Sequence, residues 1–226
     1  MPKAAASSRV KAAKDPKASH LYTDDNPATT IHGTGFKDKA AAERTLDLIK
    51  DRSLIYQFQT VNTMYHRAKH HPAMKQKTEG SAGTSDMRAA MDIFRKWLDV
   101  TYPEARDAQR AGGFKPLLSK ACVERYLQQI ESSEDVEDDA KVFANKYVSL
   151  AKGKKLGNVL MDDSKPTEAD LDRKRYDALD GLISSEKQSV QAWDADELWV
   201  DKQNVTGQHL RLIAWAWSPV KEAKLP

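Results

Sequence analysis

Apolar residues in this chain recur at the three- and four-residue spacing of helices rather than at the alternation of strands. Asp38 has the chemistry of an N-cap and opens a helix predicted to reach about Arg52 through Ala41, Ala42, Leu46 and Ile49. Ser53 reads as the cap of a second helix, with Leu54, Phe58, Val61, Tyr65 and Ala68 on one stripe. Pro72 is expected to end it after His71, because a residue before proline avoids the helical region. A third helix, capped by Thr84 or Ser85, carries Met87, Ala90, Met91, Phe94, Trp97 and Leu98. Helices two and three are predicted to pair as an antiparallel hairpin at about 53–101, joined by a polar loop containing Gly80 and Gly83.

Farther along, Pro103 and Gly112-Gly113 bracket a weak helical segment. Ser119 caps a fourth helix with Cys122, Val123, Tyr126 and Ile130, and Ser133 opens a fifth with Val136, Ala140, Phe143 and Tyr147. Lys152 to Lys165 reads as a linker, after which Thr167 and Asp170 resemble a capping box ahead of Leu171, Leu179 and Leu182. Leu210 to Trp217 is apolar almost without interruption, and is read as a helix between a Thr206 cap and a Pro219 stop, with a short central strand as the alternative. The fold class expected is all-α, with six to eight helices: the hairpin packed with a C-terminal helical bundle. Residues 1–37 form a disordered basic arm in this reading, 38–102 an N-terminal helical module and 117–220 a C-terminal one, with the two modules free to share one core.

Composition sharpens the picture in two places. Five Trp, seven Tyr and five Phe in 226 residues give the chain the large side chains of a packed core, which a wholly disordered protein lacks. The net charge of +3 is small, but it is unevenly spread. Lys3, Arg9, Lys11, Lys14 and Lys17 face only Asp15 in the first twenty residues, whereas Glu131, Glu134, Asp135, Glu137, Asp138 and Asp139 form an acidic block. Cys122 is alone, so no intrachain disulfide can form. No apolar run approaches the ~18 residues of a membrane span, and no secretory signal is evident. The expected location is intracellular, cytoplasmic or nuclear. The Ala-, Ser- and Lys-rich first residues keep mitochondrial import open, with Pro2 and the shortage of Arg against it.

The chemistry most worth following lies on the second helix. At 100° per residue, Gln59, Thr63, His66, Arg67 and His70 fall opposite the apolar stripe, with Asn62 and Lys69 beside them and His71, Lys75 and Lys77 just beyond. Such side chains contact phosphates and base edges. Arg67, Lys69, Lys75 and Lys77 would release counterions, helped by Lys11 and Lys14 of the arm. The plain account of the same residues is a solvated helix face. His66 and His70 stand at i, i+4, but a zinc site needs three or four ligands, and no HExxH is present. Gly33 and Gly35 do not complete a dinucleotide motif, and neither a phosphate loop nor a GxSxG occurs. No cofactor and no metal is implied.

The expected function is a nucleic-acid-associated accessory protein that binds DNA or RNA through the arm and the helix face. The alternative is a helical adaptor that engages a protein partner through 131–139 or 193–217, where Trp193, Trp199, Trp215 and Trp217 otherwise read as core. An enzyme of unrecognised type, with a pocket gathering His209, His66 or His32, is the third reading; no membrane partner is expected.

Overall fold

The computed structural model describes residues 31–75, 82–111, 114, 117–187 and 192–226. Residues 1–30, the greater part of the expected arm with Lys11 and Lys14, lie outside the described residues, as does Lys77. The chain is all-α: among the described residues there are eight α-helices of eight residues or more and no strand beyond two isolated bridges, Leu160 with Asp170 and Trp199 with Val205. No helix among these residues is long and apolar enough to cross a membrane.

The N-terminal half holds α1 (Lys39–Ile49), α2 (Leu54–Lys69) and α3 (Ala82–Lys96). Asp38 caps α1 as expected, its Oδ1 accepting from Ala41 N at 2.7 Å. α3 packs on both α1 and α2, burying Ala42, Ile49, Val61, Met64, Ala90, Phe94 and Trp97 in one cluster. Ile31 is buried in that cluster too, and Phe36 packs on it. Residues 31–37, expected to belong to the arm, are therefore part of the packed fold, since Ile31 and Phe36 find an apolar surface to cover.

Several expected boundaries move. Pro72 does not stop α2, which closes at Lys69; it opens the short helical turn Pro72–Lys75, where a missing N–H is harmless. α3 begins at Ala82, before the expected Thr84 or Ser85 cap. Nor does Pro103 break the chain. α3 continues through a π turn, Trp97–Thr101, into α4 (Tyr102–Ala111), with Tyr102 N–H donating to the Trp97 carbonyl five residues back. Widening the helix there lets a proline enter at the second position of α4.

The C-terminal half holds α5 (Lys120–Ser132), α6 (Asp138–Ser149), α7 (Leu171–Leu182) and α8 (Gly207–Ala214). Ser119 caps α5 through Cys122 N at 3.1 Å, and Thr206 caps α8 through His209 N at 3.1 Å. Ser133 ends α5 instead of opening α6, whose N-cap is Glu137. A second cluster gathers Phe114, Val123, Tyr126, Phe143, Leu171, Leu179, Leu212, Ile213, Trp215 and Trp217. The expected linker at 152–165 is packed rather than loose, for Leu156, Gly157 and Leu160 are buried. α8 stops short of Pro219. Ala216 takes a left-handed φ of 53°, and its N–H and that of Trp217 fold back onto the carbonyls of Ile213 and Leu212 at 2.8 and 3.0 Å.

An ion pair with almost no solvent contact joins the two halves. Arg52 and Asp170 have side chains 2% and 0% exposed, with Nε 3.1 Å from Oδ2. The remaining guanidinium nitrogens donate to the carbonyls of Pro166 and Gly157 at 2.9 and 3.2 Å. Asp170 Oδ2 also accepts from Ser53 N at 2.9 Å, while Oδ1 caps α7 through Arg173 N at 3.0 Å. The cap of α7 is thus Asp170 itself, and not a box begun by Thr167. Ser53 makes no cap bond with its hydroxyl, which is buried without a hydrogen-bond partner.

Asp170→Ala strips a buried guanidinium of its counter-charge and two N–H groups of their acceptor, so a stability loss of about 3–5 kcal/mol is expected by urea denaturation. Asp170→Asn, which keeps the cap, should lose less; losses below ~1 kcal/mol for the alanine variant would show that the pair does not hold the halves together. Ser53→Ala removes only an orphaned hydroxyl. It should change stability by less than about 0.5 kcal/mol, against the ~1 kcal/mol typical of a working serine cap.

Candidate nucleic-acid interface

α2 spans sixteen residues, LIYQFQTVNTMYHRAK, without one aspartate or glutamate. Its buried residues are Val61, Met64 and Ala68, so the opposite side is turned away from the core by the same 3.6-residue period. Gln59, Thr63, His66, Lys69 and His70 are exposed, and Asn62 and Arg67 are half-buried. The His66 and His70 rings lie one turn apart, nearly parallel, with centroids 6.2 Å from each other. No group of three His, Cys, Asp or Glu among the described residues could hold a metal ion.

Arg67 is turned from the outermost surface into a shallow groove of about 200 Å³. The segment entering α1 forms one wall of it, with Ile31 and Thr34, and α2 forms the other, with Tyr56, Gln59 and Thr63. Helical periodicity places Arg67 on the polar side but cannot show that residues 31–34 pass alongside it. His71 is used locally: its Nδ1 accepts from Ala73 N at 3.3 Å, and its ring meets Phe36 edge-on. Lys75 ends the short turn beyond, so the basic series continues past α2 along the chain. Lys11, Lys14 and Lys77 are outside the described residues.

The other surfaces singled out in the sequence have internal tasks. Glu137 bonds Arg211 of α8, and that bond holds its carboxyl below the usual carboxylate range. Asp135 lies so close to α8 that a Cβ at Gly207 would collide with its carboxylate; the acid sits at the positive end of that helix. Asp139 is 3.6 Å from Lys174. Trp193, Trp215 and Trp217 are buried, and half-buried Trp199 packs edge-on against His209. Cys122 is buried, and the loss of water pushes its thiol up from its ordinary value.

A second concave surface was not assembled by the sequence. Between the two hydrophobic clusters lies a cleft of about 230 Å³ lined from one side by Tyr102, Arg106 and Arg110 of α4 and from the other by Asp172, Arg175 and Tyr176 of α7. The i, i+4, i+8 spacing of Tyr102, Arg106 and Arg110 is legible in the chain, but nothing local connects it to Arg175.

His209 is fully buried, with Nδ1 3.0 Å from the Leu198 carbonyl and Nε2 2.9 Å from Ser218 Oγ. Because a carbonyl only accepts, Nδ1 carries the proton and Nε2 accepts from the serine hydroxyl. Burial lowers the imidazole pKa below its ordinary 6.5, with the Leu198 bond opposing in part. The folded chain then takes up the second proton, the one that charges the ring, less readily than the unfolded one. Its stability contribution is complete above about pH 6.5 and is lost as the pH falls through the lower folded value. Urea midpoints measured across that range should fall in acid for the wild type and fall less for His209→Asn; parallel curves would clear His209 of any part in acid lability.

No family model, curated protein or solved structure matches this chain.

Proposed function

We propose that this protein binds nucleic acid through the outward face of α2, with Arg67 and Lys69 on phosphates and Asn62, His66 and His70 beside them, in keeping with a nucleic-acid-associated accessory role. The observation that carries the reading is an exposed polar face, about 16 Å long from Gln59 to His70, on a helix whose own sequence contains no aspartate or glutamate. Exposed amides, hydroxyls and imidazoles interleave with the basic groups there, and these are the side chains that fix register on a sugar–phosphate backbone. The Arg67 groove adds Thr34, Gln59 and Thr63 as neutral donors around one guanidinium. Upstream, Lys11 and Lys14 belong to a nearly acid-free stretch, and Lys75 and Lys77 follow α2; all four supply further sequence-independent attraction.

Basic residues in a last turn also complement the helix dipole, at ~0.3–1 kcal/mol each. That effect bears on stability and not on binding, so the two are separable. Anisotropy of a labelled duplex and of a labelled single strand, each titrated from about 50 to 200 mM salt, should show affinity falling steeply. Arg67→Ala with Lys69→Ala should weaken binding alike for unrelated sequences and reduce the salt slope by about 2. The assignment fails if wild type and variant share one affinity and one slope, or if the wild type binds neither strand form.

A further inference from the structure

The cleft between α4 and α7 is rich in basic side chains. Three of its lining side chains are arginines, against one lining carboxylate, Asp172. Arg106 and Arg110 lie one turn apart at the outer edge, and Arg175, 5% exposed, lies at the inner end.

The two outer arginines are weakly held. Arg106 Nε and Nη2 share a single oxygen, Asp107 Oδ1, each at 3.3 Å, and Arg110 Nη1 stands 3.9 Å from the same atom. Solvent-exposed pairs of this kind contribute ~0–1 kcal/mol, so both guanidinium groups can turn to a better acceptor at little expense. Arg175 is the opposite case. Its Nε donates to the Trp215 carbonyl at 2.8 Å and its Nη2 to those of Phe114 and Ala216 at 2.9 and 3.4 Å, which fixes the group in place. Burial draws its pKa down to about 10, with the Asp172 carboxylate opposing in part, so it remains a cation at neutral pH in a poorly hydrated position, where anionic groups are favoured.

The aromatic walls are fixed as well. Tyr102 packs on Phe58 with ring centroids 4.5 Å apart, and Tyr176 meets Phe114 edge-on at 5.4 Å. The π turn Trp97–Thr101 immediately precedes Tyr102 and sets the phase of the face that carries Arg106 and Arg110. A carboxylate would bring two oxygens and one charge to three guanidinium groups. A terminal phosphoryl group brings three oxygens and a charge of about −1.5 to −2, and matches the planar fork of arginine equally well.

We propose that this cleft binds a phosphorylated small molecule, with Arg106 and Arg110 closing on a phosphoryl group drawn toward Arg175 and with Tyr102 and Tyr176 flanking the remainder. The site is separate from the α2 face and does not depend on nucleic-acid binding. Calorimetric titration with inorganic pyrophosphate and with ATP, at fixed ionic strength, should give saturable one-to-one binding for at least one of them. Arg106→Gln with Arg110→Gln should weaken it by about tenfold or more, the loss expected for a charge-assisted contact. Arg67→Ala with Lys69→Ala should leave it unchanged. If the double variant unfolds early, Arg110→Gln alone serves, because that side chain is 65% exposed. The proposal is overturned if neither probe saturates, or if the cleft variants bind as the wild type does. Citrate binding as tightly as the phosphorylated probes would overturn the phosphoryl assignment.

Discussion

The buried contact between Arg52 and Asp170 is the constraint on which the arrangement of this molecule rests. It draws together three stretches far apart in sequence: the corner between α1 and α2, the packed segment around Gly157 and Pro166, and the start of α7. Asp170 serves the first and the last of them, as counter-charge to Arg52, as acceptor for Ser53 N and as cap for α7, and Arg52 reaches the segment between. Gly157 is required at the same junction, because a Cβ there would lie 2.6 Å from both Ile55 and Ser53. A buried pair of this kind is a poor source of net stability compared with apolar packing, but it penalises every arrangement in which its members are separated. It fixes which surfaces of the two hydrophobic clusters face each other, and so where the cleft opens.

A second arginine does related work through backbone carbonyls. Arg175 collects carbonyls from Phe114, Trp215 and Ala216, and Leu118 N adds a bond of 2.9 Å to the same Ala216 oxygen. These bonds brace an alanine in a left-handed conformation that glycine adopts more readily. The two arginines differ in electrostatic consequence. Arg52 is neutralised by the acid it touches, whereas Arg175 donates to backbone carbonyls and feels the Asp172 carboxylate of the same cleft only through the charge between them.

Features that look in sequence like surfaces for partners are in large part structural. The acidic block supplies Glu137 to Arg211 and Asp135 to the N-terminal end of α8, and the tryptophans fill the C-terminal cluster. The polar side of α2 has no such internal use for Lys69 and His70, which stand exposed.

What the sequence determined by itself was local: the helical class, the caps Asp38, Ser119 and Thr206, the stripe of α2 and the seclusion of the tryptophans. Each rests on residues within a few positions of one another, where period and hydrogen-bond geometry act directly. Tertiary structure alone decided the rest. Pro103 reads as a break until a π turn makes room for it, and Ser53 reads as a cap until Asp170 takes its backbone N–H and leaves its hydroxyl idle. Ala216 reads as a helix former, yet it ends α8, because Arg175 and Leu118 hold its carbonyl where a longer helix could not offer it. The cleft belongs to this second group. Arg106 and Arg110 lie more than sixty residues from Arg175 in the chain, and no local preference could report that folding would turn them toward one space.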